Sequence, residues 1–195
     1  LDVGSTGCKA VVFREDGTQL ARAYREYPEI YPQAGWIELD PQAVWEGVKA
    51  VIAEAAQASP EPVRTLSISA MGEAFTPVGR DGQFLYNTIV SPDSRAVAQA
   101  QAWHDTLGAE RVFAITGMPI HPSFTLPKVQ WMAAVCPELH AQVWKYLLWP
   151  DVVFLKLGLE PRLDHSLAGR TMAFDVVKRE WSAEILDAAG IGADL

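Results

Sequence analysis

Two Asp-Gly dipeptides limit this chain more than any other feature. In KAVVFREDGTQLARAY, Asp16-Gly17 separates two apolar runs, and in FTPVGRDGQFLYNTIV, Asp81-Gly82 does the same. Such a dipeptide accepts the positive φ of a tight turn, so each segment is predicted to fold as two antiparallel strands. Between them lies DPQAVWEGVKAVIAEAAQAS. Asp40 is its expected N-cap and Pro41 its first helical residue. Val44, Trp45, Val48, Val51, Ile52 and Ala55 recur at helical spacing and give one apolar face. PVRTLSISAMG then reads as a strand with Leu66, Ile68 and Ala70 on its buried face, ending at Gly72. Beyond the second hairpin, helices are predicted over 94–107, 126–135, 150–157 and 182–189, separated by prolines and glycines. The order implies an α/β fold with a mixed sheet, in which an early antiparallel meander joins parallel strands and helices flank them. The helical second half reads as an insertion or subdomain beside the sheet.

Composition narrows the function classes. The 195 residues suit one full domain, or one with a small extension, and 49% are apolar, enough for a sizeable core. A formal charge of −8 argues against a nucleic-acid surface. No apolar run approaches the length of a membrane span and no signal-peptide pattern is visible. Cys8 and Cys136 lie far apart without Cys or His companions, which points away from disulfide or zinc frameworks and toward a reducing cytoplasm. Leu1 is not a natural start, so the opening strand is expected to begin upstream.

Several short stretches could carry chemistry. LDVGST reads as a strand end running into a tight turn, which aims the Asp2 carboxylate and the Ser5 and Thr6 hydroxyls to one side; Gly4 lets backbone approach a phosphate closely. The same residues also make an ordinary turn with a solvent-facing acid. In SISAMGEAFTPV, Glu73 emerges past a strand beside Gly72, where a carboxylate could accept hydrogen bonds from polyol hydroxyls; the plain alternative is a solvated turn. Asp93 and Arg95 precede a helix, Asp93 as its cap and Arg95 as the partner of a nearby acid, with a place at the substrate pocket as the lesser reading. In PSFTLPKVQWM, Lys128 reads as a surface lysine, Trp131 as core, and His121 as a packed or solvated loop residue. DHSLAGRTMAFD packs two acids, two hydroxyls, a His and an Arg into one loop, either a cap and turn or the lining of a pocket, and Trp181 beyond it reads as core. No serine sits in a nucleophile-elbow setting and neither cysteine has a base nearby, so a covalent mechanism has no support.

Taken in order, LDVGST, GWIELDPQAVW, SISAMGE, YNTIVSPDSRA, TGMPIHPSFTLPKVQWM, LLWPDVVFLKLG and LDHSLAGRTMAFDVVKREW resemble the N-terminal domain of the FGGY carbohydrate kinase family. Ser123, Thr125, Lys128, Trp131 and Met132 follow most of a family signature. The resemblance implies an actin-like ATPase fold of two ribonuclease-H-like domains facing one another across a cleft, with residues 1–195 as the first domain and the nucleotide-binding C-terminal domain absent from this chain. It implies phosphoryl transfer from ATP with Mg2+ to a hydroxyl of a small sugar, sugar acid or polyol, in the manner of xylulokinases, gluconokinases and glycerol kinases. Asp2 then corresponds to the acid near magnesium, and Gly4, Ser5 and Thr6 to residues near the transferred phosphate. Met71, Gly72, Glu73, Ser91, Asp93 and Ser123 fall at substrate-binding positions. The catalytic base is expected beyond Leu195, so the fragment alone is expected to turn over little ATP. Expected partners are a small sugar or polyol, with room for a homodimer of the longer protein, and neither nucleic acid nor membrane. A non-catalytic sugar-binding or regulatory module of the same fold is the alternative. Three departures stand out: glycerol kinases carry Arg where this chain has Gly72, xylulokinases carry Met-His where it has Gly72-Glu73, and most members carry Trp where it has Ser91.

Overall fold

The structure is a computed structural model and describes residues 1–192. The chain divides into two compact units: Leu1–Ile30 with Leu39–Met71, and Tyr31–Glu38 with Gly72 onward.

The first unit is built on a hairpin. Strands Gly7–Phe13 and Gln19–Glu26 pair antiparallel around Asp16-Gly17, where Gly17 has φ 84° and the Asp16 carboxylate accepts the Thr18 N–H at 2.9 Å. The short strand Asp2–Val3 pairs antiparallel with Gly7–Phe13 on one side and parallel with Ser69–Ala70 on the other, giving a four-stranded sheet. Helix Pro41–Ala58 starts as its sequence indicates: Asp40 accepts from Gln42 N–H and Pro41 occupies the first turn. Val44, Val48, Val51 and Ala55 are buried along its inner face. The strand read in PVRTLSISAMG is largely absent. Only Ser69–Ala70 is strand, and Leu66 is 45% exposed. The strand's paired residues are Ser69 and Ala70, opposite Asp2 and Val3.

In the second unit, strand Phe75–Val78 runs antiparallel to both Thr88–Ile89 and Lys145–Leu148. The Asp81-Gly82 turn is present, with Gly82 at φ 77° and a bridge between Val78 and Phe84. Helices follow at Val97–Thr106, Gly108–Thr116, Thr125–Val135, Trp149–Lys156 and Ala183–Ala189. Gly108–Thr116 was not expected as a separate helix, nor Lys145–Leu148 as a strand. The latter is four residues of buried Tyr, Leu and Leu that run straight into a helix, too short for its period to show. Trp181 is 42% exposed rather than core, lying edge-on to Phe174 at 5.6 Å between ring centres. Among the described residues, no helix is long and apolar enough to cross a membrane.

Helix Trp149–Lys156 carries a buried acid in its first turn. Asp151 Oδ1 has no hydrogen-bond partner, and burial pushes the carboxyl pKa up to about 6. The native state therefore holds its proton between roughly pH 4 and pH 6, where the unfolded chain has released it, and this contribution to stability is lost as pH rises through about 6. Asp151→Asn is expected to remove that dependence and to stabilise the protein at pH 7 by on the order of 2 kcal/mol, with little effect at pH 4. Thermal unfolding midpoints of the two proteins at both pH values test this; equal differences at the two pH values would show the carboxyl to be solvated.

Candidate functional site

The first unit presents the turn between strands Asp2–Val3 and Gly7–Phe13. Gly4 N–H donates to Gly7 C=O at 2.9 Å, and a Cβ at Gly4 would lie 3.1 Å from that oxygen, so the tight closure favours glycine. The Tyr27 hydroxyl donates to Gly4 C=O and fixes the turn from behind. Ser5 is half-buried and Thr6 exposed at its tip. The Asp2 side chain is 51% exposed, with Lys9 Nζ 3.7 Å from its carboxylate. Lys9 stands opposite Asp2 in the antiparallel register, so the ladder places a cation beside the acid. Sequence reading missed Lys9; its even spacing along the hairpin strand was the available signal. One exposed carboxylate suits a magnesium ion that keeps most of its water, since Mg2+ is commonly held by one or two carboxylates and substrate phosphates. Among the described residues, no group of three or more His, Cys, Asp or Glu forms a full metal cage.

Met71 ends the first unit, its N–H donating to Val3 C=O at 2.8 Å. Gly72 opens the second, and there the remaining candidates gather. Glu73 has φ 44°, uncommon for a residue with a side chain, and Ala74 N–H turns back onto Gly72 C=O. Holding such a backbone costs about 1–3 kcal/mol and requires strong local fixing. The fixing is visible. Glu73 is 3% exposed; its Oε2 accepts from Ser91 Oγ at 2.6 Å, its Oε1 accepts from Arg170, and its carbonyl accepts from Thr125 Oγ1 at 2.9 Å. Glu73 is thus not a solvated turn residue. The Ser91 hydroxyl orients the carboxylate.

Asp93 lies deeper. Both of its oxygens are engaged by Arg95 at 2.8 Å, and Oδ2 also accepts Ile37 N–H at 2.6 Å. At 1% exposure it supports the Ser91 segment and offers no free oxygen to a ligand, which departs from the expected direct contact. Nor is it the helix cap, a position taken by Ala96 without a side-chain bond. Arg95 also donates to Glu38 Oε1 at 2.7 Å and packs against Trp36 and Trp131, which meet edge-on and whose ring centres lie 4.1 and 4.9 Å from its Cζ. Burial lowers its pKa, but bonds to Asp93 and Glu38 outweigh burial and raise it.

Lys128 is the clearest correction. It is fully buried, not a surface residue, and its ammonium donates to the carbonyls of Val90, Ser91 and Ser123 at 2.7, 3.2 and 2.7 Å. Three acceptors match the three N–H groups of a lysine. Burial pushes its pKa down to about 7 against the pull of Asp93 and Glu73. Lys128 therefore ties the loops carrying Ser91 and Ser123 to one point. Its apolar neighbours Leu126, Val129, Trp131 and Met132 were the signal that this part of the helix is buried. The Ser123 hydroxyl meets His121 Nδ1 at 2.6 Å. The structure thus brings Gly72, Glu73, Ser91, Asp93 and Ser123 into one bonded framework, with Arg95 paired to acids as the sequence suggested and with Lys128 and Arg170 in places the sequence did not indicate. A separate cavity of about 430 Å3 in this unit, lined by Leu126, Leu148, Asp151, Phe174 and Trp181, includes none of the expected site residues.

Comparisons with known proteins agree with this architecture. The model of the "FGGY family of carbohydrate kinases, N-terminal domain" matches residues 1–195. A glycerol kinase of Polaromonas sp. is 32% identical over 209 residues, covering 100% of this chain and 41% of the relative. A gluconate kinase structure from Lactobacillus acidophilus superposes with a TM-score of 0.93 at 26% identity, over 99% of this chain and 39% of that one. A xylulose kinase structure from the same organism gives a TM-score of 0.93, also at 26% identity, with the same coverage of 99% and 39%. The chain spans about two fifths of the length of the relatives it matches.

Proposed function

This chain belongs to the FGGY family of carbohydrate kinases, and from that premise we propose that it is the sugar-binding part of an ATP-dependent kinase acting on a hydroxyl of a small sugar or polyol. The observation that supports this most is Glu73: a strained backbone fixed by Thr125 and a buried carboxylate fixed by Ser91 and Arg170, an acceptor suited to polyol hydroxyls. Strain of this kind persists where surrounding structure over-determines it, and it clusters at ligand clamps. Each carboxylate oxygen has two lone pairs, so one bond to Ser91 or Arg170 leaves room to accept a substrate hydroxyl.

The residues divide the work by their chemistry. Glu73 and Ser91 orient the acceptor, while Lys128 and Arg95 keep the loops behind them from moving. Ser5, Thr6 and the N–H groups of their turn donate to phosphate oxygens, and Lys9 adds positive charge beside them. Asp2 would hold magnesium through water, and bound magnesium would neutralise charge on the transferring phosphate. The general base that accepts the hydroxyl proton is assigned beyond Leu195 in a longer protein. The two cysteines are free, in keeping with a reducing cytoplasm as its setting.

The full-length protein is expected to release ADP only when a sugar or polyol is supplied. Asp2→Asn is expected to lower kcat by about 10- to 100-fold, the range for losing a charge-assisted contact, with the sugar KM little changed. A coupled ADP assay across polyols, ketopentoses and aldonates checks both. Sugar binding without turnover in the full-length protein would favour the non-catalytic module instead.

A further inference from the structure

Glu73 reaches its second partner across 97 positions of sequence, and that partner is differently placed. The Arg170 side chain is 50% exposed, whereas that of Glu73 is 4% exposed. A guanidinium thus fronts a buried carboxylate. Gly72 leaves the room for it: a Cβ there would lie 3.3 Å from Arg170 Nε, tighter than ordinary contact. Phe124 lies behind, its ring centre 6.0 Å from Cζ. A guanidinium has five N–H donors, and one amino group is committed to Glu73. Its exposed half keeps donors within reach of a ligand.

We propose that Arg170 is a specificity-determining residue, reading with Glu73 a vicinal diol of a neutral polyol or ketose and disfavouring sugar acids. The proposal rests on the kinase reading above and narrows its substrate class. The physical reason is charge. Arg170 is already neutralised by a carboxylate that is desolvated on its far side. A ligand carboxylate would have to compete with Glu73 for the same cation while lying beside a like charge, which is unfavourable at close range. A diol meets neither obstacle: one hydroxyl donates to a spare Glu73 lone pair, and its neighbour accepts from Arg170. The match is a paired donor and acceptor, and a site built to bond a hydroxyl rejects ligands that leave its groups unpaired.

The test uses the full-length protein with glycerol, D-xylulose and D-gluconate, read both as calorimetric Kd and as kcat/KM for ADP release. In the wild type, glycerol or D-xylulose is expected to be bound and used at least about 10-fold better than gluconate. Arg170→Met is expected to raise the KM and Kd of the preferred neutral substrate by about 10- to 100-fold, the range for a lost charge-assisted bond, with a smaller change in kcat. Arg170→Lys keeps the charge without the fork and is expected to recover part of that loss. Gly72→Ala pushes on the guanidinium and is expected to weaken neutral-substrate binding in the same direction, less than additively with Arg170→Met. Gluconate bound as tightly as the neutral compounds, or Arg170→Met leaving every Kd and KM unchanged, overturns the proposal. Binding with the expected preference but without ADP release would instead overturn the kinase reading and leave this one standing.

Discussion

Arg95→Ala is expected to destabilise the protein by about 3–5 kcal/mol, a shift of roughly 6–20 °C in unfolding midpoint for a chain of this size. The reason is what the substitution leaves behind. Glu38 and Asp93 are 2% and 1% exposed, and Arg95 is the cation bonded to both. Removing it strands two buried carboxylates, and taking a charge out of water without a partner is among the most expensive events in a fold. Loss of the guanidinium also removes its contacts with Trp36 and Trp131. Arg95→Lys is expected to lose less, because an ammonium keeps the charge but cannot bond both oxygens of Asp93 in a planar fork. Thermal unfolding of the two variants beside the wild type measures the difference. A shift of less than about 2 °C for Arg95→Ala would mean that water reaches these carboxylates freely.

Glu73→Gln should separate recognition from stability. The amide keeps the shape and can still accept from Ser91 or Arg170, so the unfolding midpoint is expected to move by only a few degrees. It loses the charge that strengthens bonds to substrate hydroxyls, and kcat/KM for the preferred neutral substrate is expected to fall by about 10- to 100-fold, mostly through KM. Glu73→Gly offers the complementary reading. Glycine adopts φ 44° freely, so relief of about 1–3 kcal/mol of strain offsets the lost side-chain bonds. Its stability is expected to stay near that of Glu73→Gln, although a buried side chain has been removed. Steady-state kinetics and unfolding curves on both variants provide the comparison. A Glu73→Gly protein several kcal/mol less stable than Glu73→Gln would show that the backbone carries no strain.

Much of the scaffold was legible because its causes are local. The Asp16-Gly17 and Asp81-Gly82 turns, and the Asp40-Pro41 helix start, are decided by residues within a few positions of one another. The strand before Gly72 is shorter than its alternation predicts, with only Ser69 and Ala70 paired, because pairing depends on a distant segment and not on the local pattern. The site was legible in part. Gly72, Glu73 and Ser91 could be selected along the chain, yet whether Glu73 was solvated or clamped depended on Arg170 arriving from far away.

Lys128 and Asp93 mark the same division. As letters, one reads as a surface cation and the other as a helix cap. Packing buries both and gives the first three carbonyl partners and the second an arginine. The amino-acid order by itself determined the turns, the capped helix and the set of polar residues available, because steric and hydrogen-bonding preferences act over a few bonds. Only the tertiary structure decided which of those polar groups lose their water and which partner each one meets, because desolvation and long-range pairing exist only once distant segments have packed.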